Sequence, residues 1–200
     1  MASAVSEYTT RELSEETWPD FQKLFDTHPG PGAYTCQCMY NHLSQPLPAN
    51  RRLQSGAQRA ARNRRQKQAL MEQGCAHGIL VYTGEEPVGW CQYGSREELP
   101  RIENNPAYRK LIPAGEPDKQ WRITCFVVHR KYRHRGVASA GLKAALESIR
   151  KRGGGTVEAY PITRWGAEAD YRGTVSMFEQ EGFEIVAPLG KNNVVVRKTL

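Results

Sequence analysis

Trp121-Arg122-Ile123-Thr124-Cys125-Phe126-Val127-Val128 runs directly into His129-Arg130-Lys131-Tyr132-Arg133-His134-Arg135-Gly136-Val137-Ala138, and the change of character at that junction decides the fold. Ile123 to Val128 is nearly continuously apolar, which predicts a strand covered on both faces rather than one alternating between core and solvent. The block that follows is strongly basic. It opens a segment in which Leu142, Ala145, Leu146 and Ile149 recur at three- and four-residue spacing, the pattern of an amphipathic helix. Gly153-Gly154-Gly155 stops that helix, and Thr156 to Tyr160 reads as the next strand.

A strand that enters a helix through Arg133-x-x-Gly136-x-Ala138 gathers the free N–H groups of the first helical turn into one cluster. The positive end of the helix dipole lies behind them, and the arrangement suits a pyrophosphate. Gly136 and Ala138 are small where phosphate oxygens approach the main chain, and Arg133 and Arg135 add charge-assisted hydrogen bonds. The same residues also fit a basic turn opening an ordinary helix, because short glycine motifs recur by chance.

From Ile123 to Phe183 the chain resembles the GNAT acetyltransferase superfamily. Arg133, Gly136 and Ala138 match that family's (Arg/Gln)-x-x-Gly-x-(Gly/Ala) loop, and Phe178-Glu179-Gln180-Glu181-Gly182-Phe183 resembles its later Tyr-Glu-x-x-Gly-Phe. Cys36-Gln37-Cys38-Met39-Tyr40 is also similar to a Cys-x-Cys-Met signature in one bacterial branch of the family. The resemblance implies an α/β fold, a mixed and mostly antiparallel sheet flanked by helices. It implies acetyl-CoA as co-substrate, with no metal. The thioester arm would run along the main chain of Phe126, Val127 and Val128. The pyrophosphate would lie on Arg133, His134, Arg135, Gly136, Val137, Ala138 and Ser139, with Phe178 beside the thiol. A homodimer is compatible with the family.

Two positions depart from the family pattern. Where many relatives carry a glutamate base this chain has Arg122, and where they carry the tyrosine that protonates the thiolate it has Phe178. The replacement candidates are Tyr171, seven residues before Phe178 and on its helix if that helix extends so far, and Tyr160 at the end of a strand. Glu97 and Glu98 are candidate bases acting through water. The simpler reading of each is a packing or surface residue.

The 200 residues with 39% apolar content are ordinary for one domain, so residues 1–200 are expected to form a single acetyltransferase domain. No apolar run reaches the roughly 20 residues of a membrane helix, and Met1 to Glu7 lacks the regions of a signal peptide. A cytoplasmic protein is expected. Five cysteines in no scaffold pattern fit reduced thiols, and Cys36-x-Cys38 lacks a second pair at zinc-site spacing. Residues 51–67 carry seven Lys/Arg and no acid, as large as the whole net charge of +7. Such a segment could attract nucleic acid or the nucleotide end of coenzyme A. The simpler reading is a solvated helix with Leu53, Ala57, Ala60, Ala61, Ala69 and Leu70 inward, since it lacks interleaved aromatics.

Elsewhere Val5 to Thr10 reads as a strand, and Glu16 to Phe25 as a helix capped by Ser14 or Thr17. Gly78–Tyr82 and Pro87–Tyr93 read as a hairpin. Residues 95–119 are too long for a plain connection and are expected to be partly ordered over the cleft. By resemblance, 34–42 contact the acceptor. Asp170 to Glu181 suits a helix, and 183–186 and 194–197 suit two closing strands. Together these imply an N-acetyltransferase using acetyl-CoA on a primary amine of a small molecule, peptide or protein. The alternatives are an acetyl-CoA-binding module without turnover and a nucleic-acid binder through residues 51–67.

Overall fold

The computed structural model describes residues 8–27, 37–44, 55–111, 119–163 and 171–200. Among them lie strands β1 (Thr9–Glu12), β2 (His77–Thr83), β3 (Glu86–Ser95), β4 (Gln120–Val128), β5 (Thr156–Ala159), β6 (Glu184–Leu189) and β7 (Asn193–Thr199). The helices are α1 (Trp18–Thr27), α2 (Gly56–Glu72), α3 (Pro106–Arg109), α4 (Val137–Lys151) and α5 (Val175–Glu179). The strands form one sheet in the order β1-β2-β3-β4-β5-β7-β6. Only β4 and β5 pair in parallel, because a helical crossover, α4, connects them.

The sheet is covered on both sides. Ile79 and Val81 of β2 join one core, while the alternate Leu80 and Tyr82 join the other. The first core is filled by the apolar stripe of α4, with Val137, Leu142, Ala145, Leu146 and Ile149 all buried, and by Met177 and Phe178 of α5. The second receives Trp18, Phe21, Leu24 and Phe25 of α1, and Phe21 meets Trp90 edge-on at 4.9 Å. Each such burial stabilises by about 1.5–3 kcal/mol. A third cluster joins Tyr108 of α3 to Tyr160, Leu189 and Val195.

Two glycines set how closely α4 approaches. A Cβ on Gly89 of β3 would fall 2.3 Å from Val137 Cγ1, and one on Gly141 would press on Cys91 Cβ at 3.1 Å. The missing side chains let the first turn of α4 lie against the sheet.

The basic segment forms α2 from Gly56 onward, opened by a reciprocal capping box between Ser55 and Gln58; residues 51–54 lie outside the described residues. Its inner face differs from the expected one. Asn63 and Lys67 are its buried residues, Met71 packs on the second core, and Ala57, Ala61 and Ala69 are exposed. The helix turns inward through the i, i+4, i+8 line of residues 63, 67 and 71, so one cation of the run is interior.

The helix expected over residues 170–181 contracts to Val175–Glu179. Thr174 caps it by accepting from Met177 N at 3.3 Å, and Gly173 before it has φ +76°. Tyr171 therefore precedes the helix. In the long connection, a 3₁₀ turn (Pro100–Asn104) and α3 supply the expected order.

Candidate active site

The site begins at a defect in β4. Gln92 of β3 pairs with Cys125 while its neighbour Tyr93 pairs with Ile123, so Thr124 is an extra residue in β4. Such a bulge bends the strand and interrupts pairing. On the other side of β4 the parallel ladder with β5 runs from Gln120–Thr156 to Ile123–Ala159 and stops there. The chain after β5 turns toward β7, where Val194 N donates to Pro161 O at 3.1 Å. The two strands thus separate at the bulge. Phe126, Val127 and Val128 lie beyond it, paired with β3 and not with β5.

Past Val128 a 3₁₀ turn (Arg130–Tyr132) leads to the start of α4. His134 and Gly136 both adopt positive φ, +60° and +83°. At Gly136 this left-handed backbone favours glycine, whereas no atom lies within 4 Å of where its Cβ would be. Gly136 is the N-cap of α4 and provides no side-chain cap, in contrast to Ser55 on α2 and Thr174 on α5. The first-turn N–H groups of Val137, Ala138 and Ser139 therefore have no intrahelical acceptor and, among the described residues, no side-chain cap. His134, Arg135 and Gly136 are exposed, and Arg133 is half-buried beside them.

A cavity of about 360 Å³ opens against the bulge, lined in part by Tyr40, Arg101, Thr124, Tyr160, Tyr171 and Arg172. The 37–44 segment contributes Tyr40 and Asn41, and the long connection contributes Arg101, Ile102, Asn104, Asn105 and Pro106; residues 34–36 lie outside the described residues. Tyr171 is 38% exposed, and its hydroxyl accepts from Arg172 Nε at 2.9 Å. Tyr160 is a buried part of the wall, its hydroxyl donating to Glu158 Oε2 at 3.0 Å. Burial, aided by Glu158 and Tyr108 against the pull of Arg122, pushes its phenol well above the usual value.

Arg122 and Glu158 organise the buried polar layer under this wall. Arg122 is fully buried and donates to Leu99 O at 2.9 Å, Arg96 O at 3.1 Å and Glu103 Oε1 at 2.9 Å. Glu158 accepts from Tyr108 at 2.6 Å and pairs with Arg197 at 2.6 Å. Through these bonds Arg122 fastens the 96–108 connection to β4. Phe178 is fully buried between Phe126, at 6.0 Å, and Phe183, at 5.1 Å.

The expected bases fall elsewhere. Glu97 is exposed. Glu98 pairs with His77 Nε2 at 3.2 Å and accepts from Ser95 N at 2.8 Å. Burial works against its ionisation, but these bonds outweigh it and hold the carboxyl below the ordinary range. Neither lines the cavity. The structure brings Tyr160 and Tyr171 together at the cavity and leaves Glu97 and Glu98 off it.

Sequence reading reached His42 only as the last residue of the 34–42 segment and gave it no role of its own. Its Nδ1 lies 2.8 Å from Glu98 O, and its Nε2 lies 2.9 Å from Lys67 Nζ and 3.0 Å from Gln92 Nε2. Gln92 Oε1 in turn accepts from Thr124 Oγ1 at 3.2 Å. Burial, then the Lys67 charge, push His42 down to about 2. The imidazole is therefore neutral, with its proton on Nδ1 toward the carbonyl. No local motif announces this cluster, since its members are scattered from residue 42 to residue 124. Cys38, from the Cys-x-Cys pair, contacts Cys125 with sulfurs 3.4 Å apart and accepts from Trp90 Nε1 at 3.0 Å. Cys36 lies outside the described residues.

Comparison with known proteins follows this geometry. The family model for the GNAT acetyltransferase family matches residues 37–183. Among solved structures, an acetyltransferase assigned to the GNAT family from Desulfovibrio desulfuricans aligns with TM-score 0.53 at 14% identity, over 96% of this chain and 98% of that one. The PaiA N-acetyltransferase of Thermoplasma acidophilum, solved in complex with coenzyme A, gives 0.56 at 12%, over 96% and 99%. Ribosomal-protein-S5-alanine acetyltransferase from Vibrio fischeri gives 0.52 at 10%, over 100% and 96%. No curated protein sequence matches the chain. At these identities the likeness carries the fold alone. With most of its length matched by the family model, and with an interrupted β4 leading into an uncapped, glycine-opened helix, the chain belongs to the GNAT acetyltransferase family.

Proposed function

We propose that the protein is an acetyl-CoA-dependent N-acetyltransferase acting on a primary amine of a small molecule, peptide or protein. The observation that carries this reading is the coincidence of the Thr124 bulge, the end of β4–β5 pairing at Ile123 and the uncapped start of α4. A strand edge released from its neighbour offers main-chain groups to the amide-bearing pantetheine arm, and free first-turn N–H groups offer themselves to a pyrophosphate. The open space beside Gly136 fits that ligand, because a phosphate oxygen can reach the main chain where no side chain stands. Arg133, His134, Arg135, Gly136, Val137, Ala138 and Ser139 would hold the pyrophosphate, and Phe126, Val127 and Val128 the arm.

Bound acetyl-CoA supplies the thioester carbonyl that the amine attacks. The chain's own work is to hold the two reactants in line, to donate to the carbonyl oxygen and to manage protons. An amine of ordinary pKa is only on the order of a thousandth neutral at pH 7, so the cavity must desolvate it or pass its proton to water. Tyr171 is the better candidate for protonating the thiolate. It is exposed on the cavity wall and its hydroxyl accepts from Arg172, which leaves its own proton to be given elsewhere. Tyr160 already donates to Glu158.

The second reading is an acetyl-CoA-binding module. It draws on the packing roles of Arg122 and Phe178 at the family's two proton-handling positions. One pair of measurements separates the two. Acetyl-CoA at 100 times its Kd should stabilise the fold by about 2.7 kcal/mol, and Gly136→Asp should abolish that gain while Arg59→Ala should not. An unchanged melting temperature in millimolar acetyl-CoA would count against both readings. Stabilisation without thiol release from any amine would favour the module.

A further inference from the structure

The charge of the acceptor cavity points to the class of amine it takes, an inference that rests on the acetyl-transfer reading above. Among the described residues its wall carries Arg101 and Arg172 and no carboxylate; the rest is tyrosine, asparagine, threonine, proline and isoleucine. Of the two acids in the polar layer, Glu158 sits behind Tyr160 and is fully buried, and Glu103, in the same turn as Arg101, is paired with Arg96 and Arg122.

The two guanidinium groups differ from the other arginines around the site. Arg122 and Arg96 pair with Glu103, and Arg197 pairs with Glu158. Neither Arg101 nor Arg172 has a carboxylate partner among the described residues. Each is instead positioned by a ring. Arg101 lies over Tyr40 at 4.7 Å from the ring centroid, and Arg172 lies over Tyr171 at 5.3 Å while donating to its hydroxyl. Stacking fixes a planar fork with donors left over, and such a fork matches a carboxylate or a phosphate. Both are half-buried, where a charge without a counter-ion raises the affinity for an anion more than it would in bulk water.

We propose that the acceptor is a small amine bearing a carboxylate or phosphate, with Arg101 and Arg172 holding the anion while the amine faces Thr124 at the bulge. A polycation would bring its charges against two arginines and find no acid among the described residues of the wall to compensate. The cavity volume of about 360 Å³ lies near the small end of ligand pockets, which fits a compact amine.

The test uses amine pairs that differ only in the anion: L-phenylalanine against 2-phenylethylamine, and phosphoethanolamine against ethanolamine, with spermidine as the polycation. Thiol release from acetyl-CoA should show kcat/KM at least about tenfold higher for the anionic member of one pair or both. The pair that responds tells carboxylate from phosphate. Arg101→Gln and Arg172→Gln should raise KM for the anionic member about tenfold more than for its neutral partner, with the shift in melting temperature caused by acetyl-CoA unchanged. Preference for spermidine or for the neutral amines would overturn the proposal, as would equal losses on both members of a pair. If no amine releases thiol, the same panel is read by thermal shift of the coenzyme A complex. Stabilisation by an anionic amine that both variants abolish keeps the acceptor class and removes the transfer reading. No stabilisation by any anionic amine removes the acceptor class.

Discussion

Arg122 shows what one buried arginine does for its surroundings. Its guanidinium is fully buried and bonded to Leu99, Arg96 and Glu103, so a glutamate there would bury a carboxylate against that of Glu103. Arg122→Glu should therefore lose about 3–5 kcal/mol in urea unfolding and gain no turnover; a stable, more active variant would contradict the structural role. Phe178 behaves alike. A hydroxyl added by Phe178→Tyr enters a closed aromatic cluster and should cost about 1–3 kcal/mol as an unsatisfied group. Tyr171→Phe removes only an exposed hydroxyl, so it should leave the melting temperature alone and lower kcat by roughly 10²–10⁴ if that hydroxyl protonates the thiolate. Full turnover in this variant would return the proton to water or to Tyr160.

The strand-turn-helix unit from Ile123 to Ile149 was legible in the sequence because apolar periodicity and the glycine at Gly136 agree with each other. α2 was legible as a helix but not in its orientation, since Asn63 and Lys67 are polar by composition and interior by position. The cavity was half legible. The family resemblance pointed to residues 34–42, yet Arg101 and Arg172 come from connections whose path depends on Arg122 and Gly173, and no periodicity reports that. The close approach of α4 went unseen because Gly89 reads as one more glycine. It makes a test at the level of the helix. Gly89→Val should push Val137 outward, shift the first turn of α4 and weaken acetyl-CoA stabilisation more than it lowers the melting temperature of the free protein, while Gly84→Ala, at a turn with nothing within 4 Å, should affect only stability. Equal effects on ligand gain and free stability would show that the contact does not position the cradle.

Across the molecule, acid stability is tied to the interior around the cavity. His42 faces Lys67 of α2, Gln92 of β3, the carbonyl of Glu98 and the field of His77. With its value pushed from 6.5 to about 2, the folded protein excludes a proton that the unfolded chain takes up. Stability should thus be full above about pH 6.5 and fall as pH drops below it, approaching about 1.4 kcal/mol per unit. The depressed carboxyls of Glu12, Glu98 and Glu103 act in the same direction, but only below their ordinary value near 4.5. Urea midpoints between pH 7.5 and 5.5 separate the histidine range from that of the carboxyls, and a flat profile would refute the neutral burial of His42. The same cavity lies where β4 and β5 are paired only through the short ladder from Gln120–Thr156 to Ile123–Ala159. In β4 the side chains facing α4 are Trp121, Ile123 and then Phe126, a step of two followed by a step of three. Thr124 is thus a skipped beat in a two-beat rhythm, and removing it would restore the rhythm without moving any other β4 side chain to the opposite face. A chain lacking Thr124 should therefore still fold, with a more regular sheet, and should have lost its response to acetyl-CoA: the irregularity in the strand is the opening in the protein.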